Sequence, residues 1–368
     1  MAAISGSLRA DLPSAAATAS AAGQVAVKVA ARVTVAHDLT RHWPISRCFH
    51  YQIGMIRGEC EAALRLRRLS IANVRCWSSC ELALTDLDDS PLDQAVLFGD
   101  SGSGKSALLS AVAQICELDE ERLLPEPYSP RLIRSGQTTA QIELALQLGP
   151  ATLVASLSLR GTDSPWLRPV TQVRQSPAAP HLAWPPRGRI AYVGQRPGFD
   201  LRQKLLQLRW RSQRLGRDEA GRPPLHPGLQ RLGELFQQLD PHHRSLVHLS
   251  DSDEPWLLAT EVPARLLDLA SLTALASERN TTALPASCVS ESERTILDLA
   301  AQLTLREVVP EIVLLDEPVP GLSEERRASI IPAVRKTLPG AQVVVATASR
   351  AILHSVHDYE RLPLPSKL

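Results

Sequence analysis

Two windows of alternating apolar and polar residues open the pattern. Leu64-Arg65-Leu66-Arg67-Arg68-Leu69-Ser70-Ile71-Ala72-Asn73-Val74-Arg75 alternates well enough to be a strand, with Glu81–Leu84 as its hairpin partner. Thr139–Leu148 and Ala151–Leu159 alternate cleanly on either side of Gly149-Pro150, which predicts an antiparallel hairpin over 139–159. Short apolar runs without a polar face behave differently. Ala95–Phe98, Arg189–Gly194, Glu311–Leu315 and Ala341–Thr347 read as strands buried on both sides. Helical patterns fill the intervals: Ala107 to about Glu117, Leu201–Leu215, Leu229–Leu239, Val262–Ser277, Ser290–Leu305 and Ser323–Leu338. Strands alternating with helices predict an α/β fold. Its central sheet is mostly parallel, with a small antiparallel β-subdomain and a helical insertion at about 201–280. Residues 162–188 hold six prolines and read as an irregular loop, and 221–228 as a Pro/Gly linker. No heptad is sustained, so no long coiled coil is expected.

Composition narrows this only a little. The chain has 368 residues, 44% hydrophobic and 21% charged, as in ordinary globular proteins. A net charge of +1 gives no bulk argument for nucleic acid. The cluster Arg202, Lys204, Arg209, Arg211 and Arg214 is either a basic docking face for DNA or, the better supported account, a solvated helix face. No apolar run approaches the roughly 20 residues that span a bilayer, so no membrane insertion is expected. Six cysteines lie at 48, 60, 76, 80, 116 and 288, with no second close pair to complete a zinc site. That suits free thiols in a reducing, cytoplasmic setting. Residues 1–60 are expected to be disordered, ahead of a single domain over 61–368. Their basic, Ala/Ser-rich composition has two accounts: an organellar transit peptide in residues 1–54, or an extension upstream of a true start at Met55. The second is preferred, because Met55 is the only methionine besides Met1.

The chemistry begins at Gly99-Asp100-Ser101-Gly102-Ser103-Gly104-Lys105-Ser106, which matches G-x-x-x-x-G-K-[ST] between an apolar strand and a helix. Glycines there let backbone N–H groups converge on phosphate, and the helix N-terminus adds partial positive charge. Lys105 is expected to reach the β- and γ-phosphates and Ser106 to bind Mg²⁺. A second motif completes the chemistry. Ile312-Val313-Leu314-Leu315-Asp316-Glu317-Pro318 is a buried strand delivering two acids at its end. Asp316 is expected to hold Mg²⁺ and Glu317 to activate water.

The ending L-L-D-E-P resembles ATP-binding-cassette ATPases. Within them, residues 64–350 are similar to the RecF/SMC-like class, which includes soluble AAA-type ATP-binding proteins. Leu66–Cys76 is similar to that class's opening strand, and Leu132–Gly136 with the following hairpin to its small antiparallel sheet. The resemblance implies several further roles. Gln195 falls where the family's Q-loop glutamine contacts Mg²⁺ and the γ-phosphate, with Gln137 as a rival. Val289-Ser290-Glu291-Ser292-Glu293-Arg294 falls at the signature, which would place Ser290 on ATP bound to the opposite copy of a dimer. Ser290 with Glu293 is equally a capping box that starts a helix, and the two roles can coexist. Three positions depart from the family. Ser292 replaces a glycine, Ala348 replaces the switch histidine, and Ser323 replaces an interface aspartate and would instead cap the next helix.

The implied function is Mg²⁺-dependent ATP hydrolysis with ATP-driven homodimerisation, acting on a protein partner or DNA. ATP is preferred over GTP by the resemblance alone. The departures favour slow hydrolysis. Two other readings stay open: a non-catalytic, nucleotide-dependent interaction module, and the ATP-binding subunit of a membrane transporter.

Overall fold

The computed structural model describes residues 63–117, 132–160, 170–175, 188–194, 201–214, 224–250, 252, 254–262, 266–319 and 321–364. All belong to one compact unit, Glu61–Leu368. The N-terminal extension, including residues 1–54, lies outside the described residues.

In chain order the strands are β1 (Leu64–Val74), β2 (Trp77–Ala83), β3 (Gln94–Phe98), β4 (Thr139–Leu148), β5 (Ala151–Arg160), β6 (Val170–Gln175) and β7 (Ile190–Val193). They continue as β8 (Ser245–Val247), β9 (Trp256–Leu258), β10 (Ala283–Pro285), β11 (Ile312–Asp316), β12 (Gln342–Thr347) and β13 (Arg361–Pro363). The helices are α1 (Lys105–Glu117), α2 (Leu201–Arg214), α3 (Pro227–Leu239), α4 (Leu269–Glu278), α5 (Glu291–Thr304), α6 (Glu324–Ala328), α7 (Ile330–Thr337) and α8 (Arg350–His354).

Three sheets form. A five-stranded sheet of order β13-β3-β12-β11-β7 is parallel throughout. A five-stranded sheet of order β2-β1-β4-β5-β6 is antiparallel throughout, and β10-β9-β8 is a small third sheet. The pleat divides the parallel strands between two apolar layers. Ile312, Leu314, Val344 and Ala346 face α1 and the antiparallel sheet. Val313, Leu315, Val343 and Val345 face α3, α5 and α7. α1 sits between the two large sheets, which is why KSALLSAVAQICE carries almost no polar face.

Gln342 and Glu311 are among the polar side chains that join the large sheets. β1 carries an irregularity between Leu66 and Arg68, where its ladder with β4 shifts register. Gln342, fully buried at the start of β12, fills in there. Its Oε1 accepts from Leu66 N at 2.7 Å, and its Nε2 donates to Leu66 O at 2.9 Å and Leu92 O at 2.7 Å. Glu311 does the same one strand over, accepting from Leu64 N at 2.6 Å and from the Arg189 guanidinium. Gln342→Leu would leave three backbone groups unpaired. It is expected to destabilise the fold by about 2–3 kcal/mol, at the upper end for stranded buried groups. Urea unfolding of the variant and the parent checks this.

Several expected elements differ. The partner of β1 begins at Trp77, not Glu81, because the turn at Arg75-Cys76 is tight and pairs Val74 with Trp77. Asn73 and Arg75, at φ 55° and 48°, take the left-handed conformations this needs. The loop expected over 162–188 contains β6, whose Val-Thr-Gln-Val-Arg-Gln run is free of proline and pairs along β5. The insertion at 201–280 is not purely helical. β8 and β9 are three residues each, too short for periodicity to declare. α4 starts at Leu269 rather than Val262 because the Asp268 carboxylate caps it, accepting from Ser271 N at 2.6 Å. Residues 323–338 form two helices. Pro332 has no N–H and its ring opposes the carbonyl four residues back, so α6 ends at Ala328 and α7 restarts. Ser323 does occupy the N-cap of α6, without a side-chain hydrogen bond. α8 and β13, unread from the pattern, complete the C-terminal edge.

Candidate functional site

The parallel strands end together. Leu315 pairs with Val193, Asp316 with Ala346, and Thr347 with Phe98, so the loops after β7, β11, β12 and β3 share one edge. Open α/β sheets place ligands there.

The loop Gly99–Ser106 leaves β3 and enters α1. Gly102 and Gly104 adopt φ +78° and +96°, which strain any residue with a Cβ. Gly104 is also sealed from behind. The Trp77 indole N–H donates to Gly104 O at 3.2 Å, and a Cβ on Gly104 would lie 2.5 Å from both Cys76 Sγ and Trp77 Nε1. Ser103 N donates to Asp100 O at 3.0 Å, which closes the turn. The Ser103 hydroxyl is buried with no hydrogen-bond partner among the described residues. Ser101 is exposed at the tip. Lys105 is 5% exposed, and its ammonium donates to Gly99 O at 3.0 Å and Asp100 O at 3.1 Å. It also stands 3.8 Å from Glu317 Oε1.

The expected metal pair is in direct contact. Ser106 Oγ donates to Asp316 Oδ1 at 2.8 Å. Two hard oxygens converging beside the glycine-rich loop fit the donor chemistry of Mg²⁺, which takes oxygen ligands such as a carboxylate and waters. The second oxygen of Asp316 accepts from the Tyr192 phenol at 3.1 Å. No motif marks Tyr192 in the sequence. Its one signal is its place on β7, whose end is expected at the site.

Glu317 follows β11 with φ +45°, a strained value for a residue with a side chain. Its N–H donates to Ala346 O at 2.8 Å, which pins that conformation. Its Oε2 accepts from Thr347 Oγ1 at 3.2 Å and from Ala348 N at 3.4 Å. Ala348, where the resembled family carries histidine, therefore touches the acid through its backbone.

Ser290 lies at the N-cap of α5 rather than among the loop residues. Its N–H and hydroxyl both donate to Glu293 Oε2 at 2.7 Å, and Glu293 N returns a bond to Ser290 Oγ at 3.4 Å, a complete capping box. Ser292 Oγ donates to Gly321 O at 3.2 Å. Gln195 lies outside the described residues. Gln137 is exposed in a turn, its N–H donating to Arg134 O at 3.0 Å. On α2, Arg211 pairs with Glu307 at 3.1 Å and Arg214 lies 4.6 Å over the Trp210 ring.

The capping box is braced from the turn that follows α3. Arg244 pairs with Asp240 at 2.7 Å and with Glu293. Burial alone would raise both carboxyls, but hydrogen bonds outweigh it. Those from Arg244 hold Asp240, and those from Ser290 and Arg244 hold Glu293, below the ordinary carboxylate range. Carboxyls lowered in the fold contribute stability that is full at neutral pH. It is lost as pH falls through the ordinary carboxylate range and then through the lower folded values. Arg244→Lys, which cannot hold two carboxylates in one planar fork, is expected to cost about 1.5–3 kcal/mol at pH 7. The gap from the parent should close on acidification. Urea melts of both proteins at neutral and acid pH check it.

No family model matches the sequence, and no curated protein does. The fold is similar to solved SMC head domains and RecF over about four fifths of the chain. The SMC head domain from Thermotoga maritima aligns at 13% identity over 79% of this chain and 92% of that one, with a TM-score of 0.45. An Smc head domain with an extended coiled coil, bound to the C-terminal domain of ScpA derived from Pyrococcus furiosus, aligns at 12% identity over 80% and 92%, with a TM-score of 0.48. The recombination mediator RecF with ATP aligns at 13% identity over 82% and 98%, with a TM-score of 0.42. Among the described residues no helix is long and apolar enough to cross a membrane. The chain is a mixed α/β protein similar in fold to SMC heads and RecF.

Proposed function

We propose that the chain binds Mg²⁺-ATP at this edge and hydrolyses it to ADP and phosphate. ATP would bring two copies together, and the dimer would act on a protein partner or on DNA. One juxtaposition carries the reading. Ser106 and Asp316, 210 positions apart, share a hydrogen bond of 2.8 Å, with Lys105 and Glu317 facing each other beside them. Two motifs distant in sequence thus form one site.

The proposed roles are these. The loop N–H groups other than that of Ser103, which closes the turn, would face the phosphates, and the Lys105 ammonium would move from its own loop carbonyls onto phosphate oxygens. Ser106 and Asp316 would hold Mg²⁺, which would supply positive charge against the phosphates. Glu317 accepts a proton from the attacking water as the γ-phosphorus–oxygen bond to the leaving ADP breaks. Gln195 is assigned to the metal and γ-phosphate. Ser290 is assigned to ATP on the partner copy, which requires its hydroxyl to turn away from Glu293.

Slow turnover is part of the proposal. Ala348 offers no side chain to a γ-phosphate, and the Ser292 hydroxyl is committed to Gly321 O. The test is equilibrium binding of ATP and GTP together with phosphate release. The expected result is ATP binding that strengthens with Mg²⁺, and turnover below about 10 s⁻¹, the ordinary enzyme median. Absence of ATP binding overturns the reading. Binding with no phosphate released makes the chain an interaction module instead.

A further inference from the structure

The two oxygens of Asp316 have different partners. Oδ1 accepts from Ser106 at 2.8 Å and Oδ2 from the Tyr192 phenol at 3.1 Å. Tyr192 stands on β7, paired with Leu314 of β11, two residues before Asp316. Its ring packs against the apolar layer that contains α1, so the phenol is backed by core and aimed at the strand end. The chain makes room for it at Gly194. A Cβ there would lie 2.5 Å from the phenol oxygen and 2.7 Å from Cζ. Gly194 is not in the left-handed region, so its backbone does not call for glycine. The close approach of the phenol does.

We propose that Tyr192 is a positioning residue that holds Asp316 as a one-oxygen ligand and so sets the preference of the site for Mg²⁺ over Ca²⁺. This rests on the Mg²⁺-ATP reading of the same site. A donated phenol proton occupies Oδ2 and fixes the plane of the carboxylate, with Oδ1 turned to Ser106. Mg²⁺ is small, demands near-octahedral geometry and keeps several waters, so one carboxylate oxygen suits it. Ca²⁺ takes six to eight oxygens and often binds both oxygens of one carboxylate. Asp316 held by Tyr192 withholds that second oxygen. Loss of the hydroxyl frees Oδ2 and lets the carboxylate turn, which loosens Mg²⁺ and opens two-oxygen ligation to Ca²⁺. A phenol that only ties β7 to β11 would not discriminate between the two ions.

The experiment titrates Mg²⁺ or Ca²⁺ into the full chain with a fluorescent ATP analogue held below saturation, alongside a metal-free series in EDTA. In Tyr192→Phe the Mg²⁺ concentration for half-saturation is expected to rise about 10–100-fold, the usual effect of removing a partner of a metal ligand. The Ca²⁺ value should stay level or fall, and metal-free nucleotide affinity should be unchanged. An unchanged Mg²⁺ value, or equal weakening of both metals, overturns the role of Tyr192 and leaves the ATP reading standing. A parent chain whose nucleotide binding ignores both metals overturns the reading and the role together. If the Phe variant does not fold by circular dichroism, Gly194→Ala replaces it. Its added Cβ displaces the phenol while the hydroxyl remains, and the same loss of Mg²⁺ preference is expected.

Discussion

Glu317→Gln is expected to lower steady-state ATP turnover by about 10²–10⁴-fold, the range assigned to a positioned general base. The amide keeps the shape of the side chain. It can still meet Thr347 Oγ1 and Ala348 N through its remaining oxygen, so the left-handed turn at φ +45° should survive. Nucleotide binding should therefore be kept while its consumption stops. Light scattering on this variant then reads the second half of the proposal. A mass that doubles with Mg²⁺-ATP supports Ser290 acting across a dimer. A protein that binds ATP and stays at monomer mass restricts Ser290 to its capping box. Turnover at the parental rate removes Glu317 from the chemistry.

Lys105→Ala is expected to weaken ATP binding by at least about 100-fold, because charge-assisted bonds to phosphate contribute about 1.5–3 kcal/mol each. Equilibrium titration measures it. The fold should tolerate the change better than the site does. Lys105 is nearly buried, but its bonds go to carbonyls of its own loop, Gly99 O and Asp100 O, rather than to the core. A variant that binds ATP within about tenfold of the parent, or 1.4 kcal/mol, would show that the backbone N–H groups alone hold the phosphates.

What was legible in the residues depended on whether the signal was local. The alternation of β4 and β5 and the glycine spacing before Lys105 are local, and each predicts its own element. The pairing of Ser106 with Asp316 was legible only through chemistry, since both motifs require a metal oxygen. Tyr192 was not legible. A tyrosine on a buried strand is ordinary, and only the approach of its phenol to Gly194 and Asp316 gives it meaning. Gln342 was hidden for a similar reason. Its partner is an irregularity in a strand 276 positions earlier, and neither residue announces the other. β6 was masked by the prolines around it, and β8 and β9 by their length. The split between α6 and α7 is legible in Pro332, which cannot donate to the carbonyl of Ala328.

The strand order has a consequence for the chain as it is made. β3 leads into the loop Gly99–Ser106, yet its sheet neighbours are β12 and β13, so Ala95 waits for Val344 and Val96 for Val345 and Arg361. The antiparallel sheet has its β1, β2, β4 and β5 strands in hand by residue 160 and can assemble early during synthesis. The parallel sheet cannot. A nascent chain stalled before about residue 347 holds the whole glycine-lysine motif but lacks the strand that sets it. The proposed nucleotide site is thus completed late in translation, once the last third of the chain has arrived.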